Sequence, residues 1–186
     1  MNPDDLRPSH KVVPMGWELT SGGGGSVAGT VAQIGWIAGL VWAAVCAVVL
    51  FAADCREHRL PNRWTGALAL GGVLTAAAVA ALTGDASVVA TAMLCGLGYL
   101  VAMLVLHLLT RGGLGMGDVK LAGGLGLYTG VLGPGATVAA GVLAILLGGL
   151  VAVALVLTRR AHGSTALPFG PPMLVGAAVV LAFSFR

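Results

Sequence analysis

Apolar segments of membrane-spanning length dominate this chain from Val31 onward. Six such runs follow one another, at residues 31–53, 66–83, 88–109, 119–133, 136–157 and 167–185. A helix rises ~1.5 Å per residue, so about 20 residues cross a hydrocarbon core of ~30 Å. With 58% hydrophobic and 9% charged residues, the 186-residue chain has too little polar surface for a soluble domain. The sequence therefore predicts an all-α integral membrane protein, a bundle of about six transmembrane helices over residues 31–186.

The polar N-terminal segment and the charge balance limit the remaining possibilities. Residues 1–30 are broken by prolines and by a glycine run and lack the order of a signal peptide, which predicts a flexible tail. The net charge of +3 is small and dispersed, so no nucleic-acid partner is expected. The three cysteines form no C-x-x-C pair, which predicts neither a zinc site nor a disulfide framework. No cofactor is expected, and the oligomeric state is left open.

The basic residues predict how the bundle is oriented in the membrane. Alternating helices place the loops at 54–65, 110–120 and 158–166 on one side, and these loops hold seven of the ten Lys and Arg residues. The turns at 84–87 and 133–135, on the other side, hold none. Because basic loops stay in the cytoplasm, that side is predicted to be cytoplasmic. We therefore expect a multi-pass membrane protein with its N-terminus outside.

Two aspartates mark the ends of different apolar runs. Asp54 follows the first run directly, and Asp118 lies in the glycine-rich break GGLGMGDVK at residues 112–120. A carboxylate at the edge of a hydrocarbon segment is costly and usually marks a functional site. Both residues fall at the predicted cytoplasmic edge, whereas Asp85 falls on the opposite side. The sequence thus predicts that Asp54 and Asp118 form a pair.

The fourth apolar run is too short to cross a membrane by itself. Fifteen residues from Val119 reach only about 22 Å, so the helix is predicted to begin earlier, at Leu114. Asp118 would then lie below the membrane surface, surrounded by protein or by a water-filled cavity. Gly113/Gly117 and Gly126/Gly130 have the four-residue spacing that lets transmembrane helices approach closely.

A pair of carboxylates can hydrolyse a peptide bond without a metal ion or a nucleophilic side chain. One ionised carboxylate takes a proton from the attacking water, and one protonated carboxyl donates to the scissile carbonyl. Two such groups a few ångströms apart share one proton. The helix N-terminus favours the ionised form of Asp118, which leaves Asp54 as the expected proton holder, although coupled groups titrate together.

Several residues near the aspartates have both a functional and a structural interpretation. Gly115 and Gly117 either expose main chain for strand-like pairing with an extended substrate or simply allow close helix packing. Lys120 either changes the local field or extends to the lipid headgroups. Pro61 and Asn62 either support the site or end one helix and cap the next.

The start of the last apolar run has two interpretations as well. A proline-rich turn either brings an irregular, water-accessible segment to the aspartates or only begins a helix. The residues concerned are Pro168, Phe169, Gly170 and Pro171. His107 lies deep in the third run and is interpreted as a hydrogen-bonded packing residue.

Three of these motifs together resemble type IV prepilin peptidases. The segment GMGDVK at 115–120 resembles the GxGD signature of that family. Asp54 with LPN at 60–62 resembles its first aspartate and the element downstream, and PFGP at 168–171 resembles its C-terminal element. The motifs occur in the family's order, and the resemblance covers about residues 35–185.

The resemblance implies an aspartic endopeptidase of the bacterial inner membrane with Asp54 and Asp118 as its catalytic pair. Such enzymes remove the short basic leader of prepilins or pseudopilins on the cytoplasmic side, typically after a glycine and just before a hydrophobic helix. The long members of the family also methylate the new N-terminus and carry an insert with paired C-x-x-C motifs, which this chain lacks. The chain is therefore more similar to the short members associated with Tad/Flp pili or archaeal preflagellins.

Two other functions were weighed against this one. Presenilin-like or signal-peptide-peptidase-like proteases share a GxGD motif, but they place both aspartates well inside the bilayer and carry a Pro-Ala-Leu element. Here the order is ALP at 166–168. A small transporter would use the two aspartates to bind a proton or cation, and it would show ion flux without cleavage.

Overall fold

The computed structural model describes residues 27–57, 61–110, 114–157 and 169–184. This part of the chain forms six helices and no strand, which confirms the predicted all-α bundle. The helices are α1 (Val27–Glu57), α2 (Asn62–Thr83), α3 (Ser87–Leu109), α4 (Met116–Val131), α5 (Pro134–Leu157) and α6 (Gly170–Phe183). Most of the predicted N-terminal tail lies outside the described residues, as do the loops that contain Arg59, Arg111, Arg159 and Arg160.

Four of the helices are long and apolar enough to cross a membrane. These spans are Thr30–Asp54 within α1, then Asn62–Thr83, Ser87–Leu109 and Pro134–Leu157. Their outward faces carry large apolar side chains such as Leu94 and Leu150. Helices α4 and α6, with 16 and 14 residues, are shorter.

Helix α4 lies at the centre of the bundle, in contact with α2, α3, α5 and α6. Every residue from Leu121 to Val131 is buried. The prediction that this helix begins at Leu114 is wrong, because Gly115 has an extended backbone (φ −66°, ψ 139°) and the helix begins at Met116. Its 16 residues reach only ~24 Å. The short length is tolerated because neighbouring helices, and not lipid, surround it.

Glycines allow α4 to approach α3 closely, as the four-residue spacing predicts. A Cβ atom at Gly126 would lie 2.8 Å from the Cys95 carbonyl oxygen, and one at Gly130 would lie 2.8 Å from the Ala92 Cα. Any side chain at these positions would therefore push the two helices apart. The packing interpretation of Gly126 and Gly130 is confirmed.

Because successive helices alternate in direction, the end of α1 and the beginnings of α2, α4 and α6 lie at the same end of the bundle. We call this the aspartate end, since Asp54 and Asp118 both lie there. Asp85 lies at the opposite end, in the turn between α2 and α3, where its Oδ1 accepts a hydrogen bond of 2.9 Å from the Ser87 amide.

Candidate active site

Asp54 and Asp118 reach the aspartate end from two different helices. Asp54 belongs to the last turn of α1, which continues to Glu57 and does not end at the aspartate. Asp118 belongs to the first turn of α4. Each residue is only 5% exposed. The fold therefore buries two acidic side chains in one region. Burying a carboxylate costs free energy, and residues that carry this cost usually mark a functional site.

The two carboxyl groups converge on one residue, Gly170, at the beginning of α6. A Cβ atom placed on Gly170 would lie 2.9 Å from Oδ2 of Asp54 and 3.5 Å from Oδ1 of Asp118. The two oxygens are consequently no more than 6.4 Å apart, the sum of those distances. Each hydrogen bond spans roughly 2.7–3.0 Å, so one water molecule bridges oxygens that are at most ~6 Å apart, a separation that lies within this limit. Gly170 is thus a glycine whose missing side chain leaves room beside both acids.

The carboxyl group of Asp118 lies outside the four membrane-spanning segments, in the turn that opens α4. The backbone amide of Asp118 donates a hydrogen bond of 3.0 Å to the Gly115 carbonyl oxygen. Burial, together with the neighbouring Asp54 carboxylate, raises the pKa of Asp118 to about 7, against a smaller lowering effect of a backbone hydrogen bond from Gly115. The sequence argument expected the helix N-terminus to keep Asp118 ionised. Burial outweighs that effect here, so the protonated form of Asp118 is favoured more than the sequence predicts.

Two of the glycines predicted at the site have different surroundings. Gly115 is exposed, and a Cβ atom there would lie 3.3 Å from Oδ2 of Asp118. Gly117 is half-buried in the first turn of α4. The main chain at Gly115 is therefore bare and extended directly beside one of the two acids.

The beginning of α6 is held in place by an aromatic side chain inserted into α5. The ring of Phe169 occupies the space above Gly148, where any Cβ atom would overlap its Cε2. Helix α6 then begins at Gly170 and has Pro171 in its first turn, whereas Pro168 lies outside the described residues. The described part of this motif therefore begins a helix, and its first helical residue, the buried Gly170, lies beside the acids. Sequence reasoning missed Gly148, although the GG pair at 148–149 was a visible signal.

Filling the space above Gly148 tests whether Phe169 positions Gly170. We expect Gly148→Val to displace the ring and reduce peptidase activity about tenfold or more, because the α6 N-terminus would move with it. Gly149→Val is the matched control, since a Cβ atom at Gly149 meets nothing within 4 Å. Both variants carry the same substitution, and both positions lie in α5. Equal activity of the two variants, measured on purified protein, would contradict the positioning role.

Asn62 and Lys120 connect α2 to α4 at the aspartate end. Asn62 is the first residue of α2, after Pro61, and no side-chain hydrogen bond caps this helix. The predicted capping role of Asn62 is therefore wrong. Its Oδ1 instead accepts a hydrogen bond of 2.9 Å from Nζ of Lys120. Pro61 contributes a carbonyl that accepts a 3.1 Å hydrogen bond from the Thr65 hydroxyl.

His107 supports the segment that leads into α4. Its Nδ1 lies 2.6 Å from the Leu114 carbonyl oxygen, so the histidine is hydrogen-bonded as predicted. The contact ties the end of α3 to the residues just before Asp118. Sequence spacing did not show this, because the partner is a backbone atom.

The fold and the site together define a multi-pass helical membrane protein with two buried carboxyl groups beside one glycine. A sequence profile described as the type IV leader peptidase family matches residues 40–157. The chain belongs to this family and is a membrane-associated leader peptidase. The matched region contains Asp54 and Asp118 and ends before Gly170. Neither the curated proteins nor the solved structures include a match to this chain.

Proposed function

We propose that this chain is an aspartic endopeptidase that removes the leader of type IV or Tad/Flp-type prepilins, with Asp54 and Asp118 as its catalytic dyad. One observation carries the proposal, namely that both carboxyl groups lie within 3.5 Å of the position that a Cβ atom on Gly170 would occupy. Family membership supports a leader peptidase, and the buried acids supply a chemistry for it. The proposal includes Gly115, Gly117, Lys120, Pro61, Asn62, Pro168, Phe169, Gly170 and Pro171 as supporting residues.

In this mechanism the dyad holds one proton and one water molecule. The ionised carboxylate takes a proton from the water, whose oxygen attacks the scissile carbonyl carbon. The protonated carboxyl donates a hydrogen bond to the carbonyl oxygen and stabilises the charge that develops there. As the tetrahedral intermediate collapses, the C–N bond breaks and the leaving amine takes a proton from the dyad. The raised pKa of Asp118 supports a shared proton near neutral pH.

The position of the dyad, at one end of the spanning helices, determines where the substrate must lie. A peptide bond just outside a membrane helix would reach this end, whereas one in the middle of the bilayer would not. We place the dyad at the cytoplasmic face because seven of the ten Lys and Arg residues lie in the connections between helices at that end or in the helix ends beside them. The extended backbone at Gly115 provides main-chain groups that an unwound substrate segment can pair with.

The proposal is tested by incubating the purified, detergent-solubilised protein with a prepilin whose leader ends in glycine. We expect one cleavage, directly after that glycine, identified by the mass and N-terminal sequence of the product. The same pilin without its leader is the control substrate and should remain intact. Cleavage within the apolar helix would favour a presenilin-like protease, and proton flux into proteoliposomes without cleavage would favour a transporter. Either result would overturn the proposal.

A further inference from the structure

A groove runs down the outside of the bundle between α2, α3 and α4, on the face of α4 opposite to Asp118. It encloses about 600 Å³. Its floor is made by Gly123 and Gly124 of α4, with Gly96 of α3, and Gly66 of α2 lines one wall. A Cβ atom at Gly66 would meet nothing within 4 Å, so the groove is open space at this position.

The polarity of the groove changes from one end to the other. Asn62, Thr65 and Lys120 line its mouth at the aspartate end. Below them the lining is apolar, with Ala69, Val73, Met93, Leu97, Leu100 and Leu127 beside the glycines. Among the described residues of this lining, Lys120 alone is formally charged, and its Nζ donates to an uncharged amide oxygen, Oδ1 of Asn62. The groove therefore suits a molecule with an anionic head and an apolar tail.

The dimensions of the groove match half of a membrane. From Asn62 to Val73 the lining of α2 extends ~16 Å at ~1.5 Å per residue, close to half of a hydrocarbon core of ~30 Å. One acyl chain of a single leaflet has about this length, so it can lie along the groove from the headgroup level to the bilayer centre.

We propose that this groove binds an anionic phospholipid of the leaflet at the aspartate end. Lys120 contacts the phosphate, the Asn62 amide nitrogen offers a further donor, and one acyl chain lies over Gly123 and Gly124. Basic residues where a groove between transmembrane helices opens at the interface are typical sites for acidic headgroups. Because Lys120 follows Asp118 by two residues, a lipid here also braces the first turn of α4. The binding itself does not depend on the proposed protease activity.

A second groove in the same molecule serves as an internal control. It lies between α3 and α5, encloses about 630 Å³ and is lined by apolar residues such as Leu94, Val105 and Ile145. No charged side chain belongs to its described lining. Gly98 lies in this lining, and a Cβ atom there also meets nothing within 4 Å. Gly66 and Gly98 are thus matched positions in a charged and an uncharged groove.

The test is native mass spectrometry of the full chain, delipidated in detergent and then mixed with equal amounts of phosphatidylglycerol and phosphatidylcholine. We expect the wild type to retain phosphatidylglycerol about fivefold more than phosphatidylcholine, as one lysine near the surface would give. Lys120→Gln should reduce this ratio to about one, and Lys120→Arg should keep it. Gly66→Phe should remove most of the bound lipid, and Gly98→Phe should not change the retention of phosphatidylglycerol.

Several outcomes would overturn the proposal. A wild type that does not prefer the anionic lipid, or a Lys120→Gln variant that keeps the preference, would exclude the headgroup site. If Gly66→Phe retains as much lipid as the wild type, the groove is not the lipid site. If the same variant also has a higher KM for a prepilin, the groove binds the substrate instead. Circular dichroism of each variant confirms that the helices are intact, so a lost adduct cannot be attributed to unfolding.

Discussion

Replacing Asp54 or Asp118 by Asn is expected to lower the cleavage rate about a thousandfold, with the double variant no slower than either single one. An amide has nearly the shape of a carboxyl group but cannot take a proton from water. Positioned acid–base groups contribute 10²–10⁴-fold to a rate, and residues that act as a unit show strongly non-additive losses. The measurement is the single-turnover rate constant for leader removal by the wild type, both single variants and the double variant.

Asp85→Asn is the matched control for these variants. Asp85 lies at the opposite end of the bundle, and an Asn side chain there can still accept the hydrogen bond from the Ser87 amide. Its activity should equal that of the wild type. Losses that multiply in the double variant would indicate that the two acids act separately, and full activity of either single variant would exclude that residue from the mechanism.

Gly170→Ala is expected to reduce kcat about a hundredfold while the protein stays as stable as the wild type or becomes more stable. The added methyl group would lie 2.9 Å from Oδ2 of Asp54 and 3.5 Å from Oδ1 of Asp118. The Asp54 carboxyl group must then move away from its place beside Asp118, and misplacing a catalytic group by up to ~1 Å can cost as much as 10² in rate. Alanine nevertheless favours a helix over glycine by up to ~1 kcal/mol. Activity and thermal stability should therefore change in different directions.

Gly135→Ala separates this effect from a general response to alanine at a helix start. Gly135 lies in the first turn of α5, and a Cβ atom there meets nothing within 4 Å. We expect unchanged kcat for this variant, with kcat and the thermal unfolding midpoint measured side by side. If Gly170→Ala kept full activity, the contact between α6 and the two acids would have no catalytic importance.

The sequence predicted the helices well because their apolar runs must be long to cross lipid. The errors of the prediction lie at positions where backbone geometry determines the start of a helix. The start of α4 was placed at Leu114, since length alone could not show that Gly115 adopts an extended backbone. The sequence also did not show that protein surrounds α4. The small residues that pack against other helices and the residues that face lipid are both apolar, so composition does not distinguish them.

The candidate site could be predicted in part. The two aspartates were identified because charge is rare in such segments, and their placement at one end followed from helix alternation. The insertion of Phe169 over Gly148 and the bond from Lys120 to Asn62 connect residues that are distant along the chain. Such contacts depend on how the helices pack, which the spacing of residues in one sequence does not encode.

The arrangement of the site also bears on the order in which a ribosome makes the chain. Asp54 and Asp118 are translated before Gly170 and the Phe169 ring that anchors it, which lie at the beginning of the last described helix. A partly synthesised protein therefore carries the acids without the element that completes their surroundings. If the proposed chemistry is correct, hydrolysis begins only once α6 has been synthesised, which spares neighbouring nascent chains in the membrane from premature cutting.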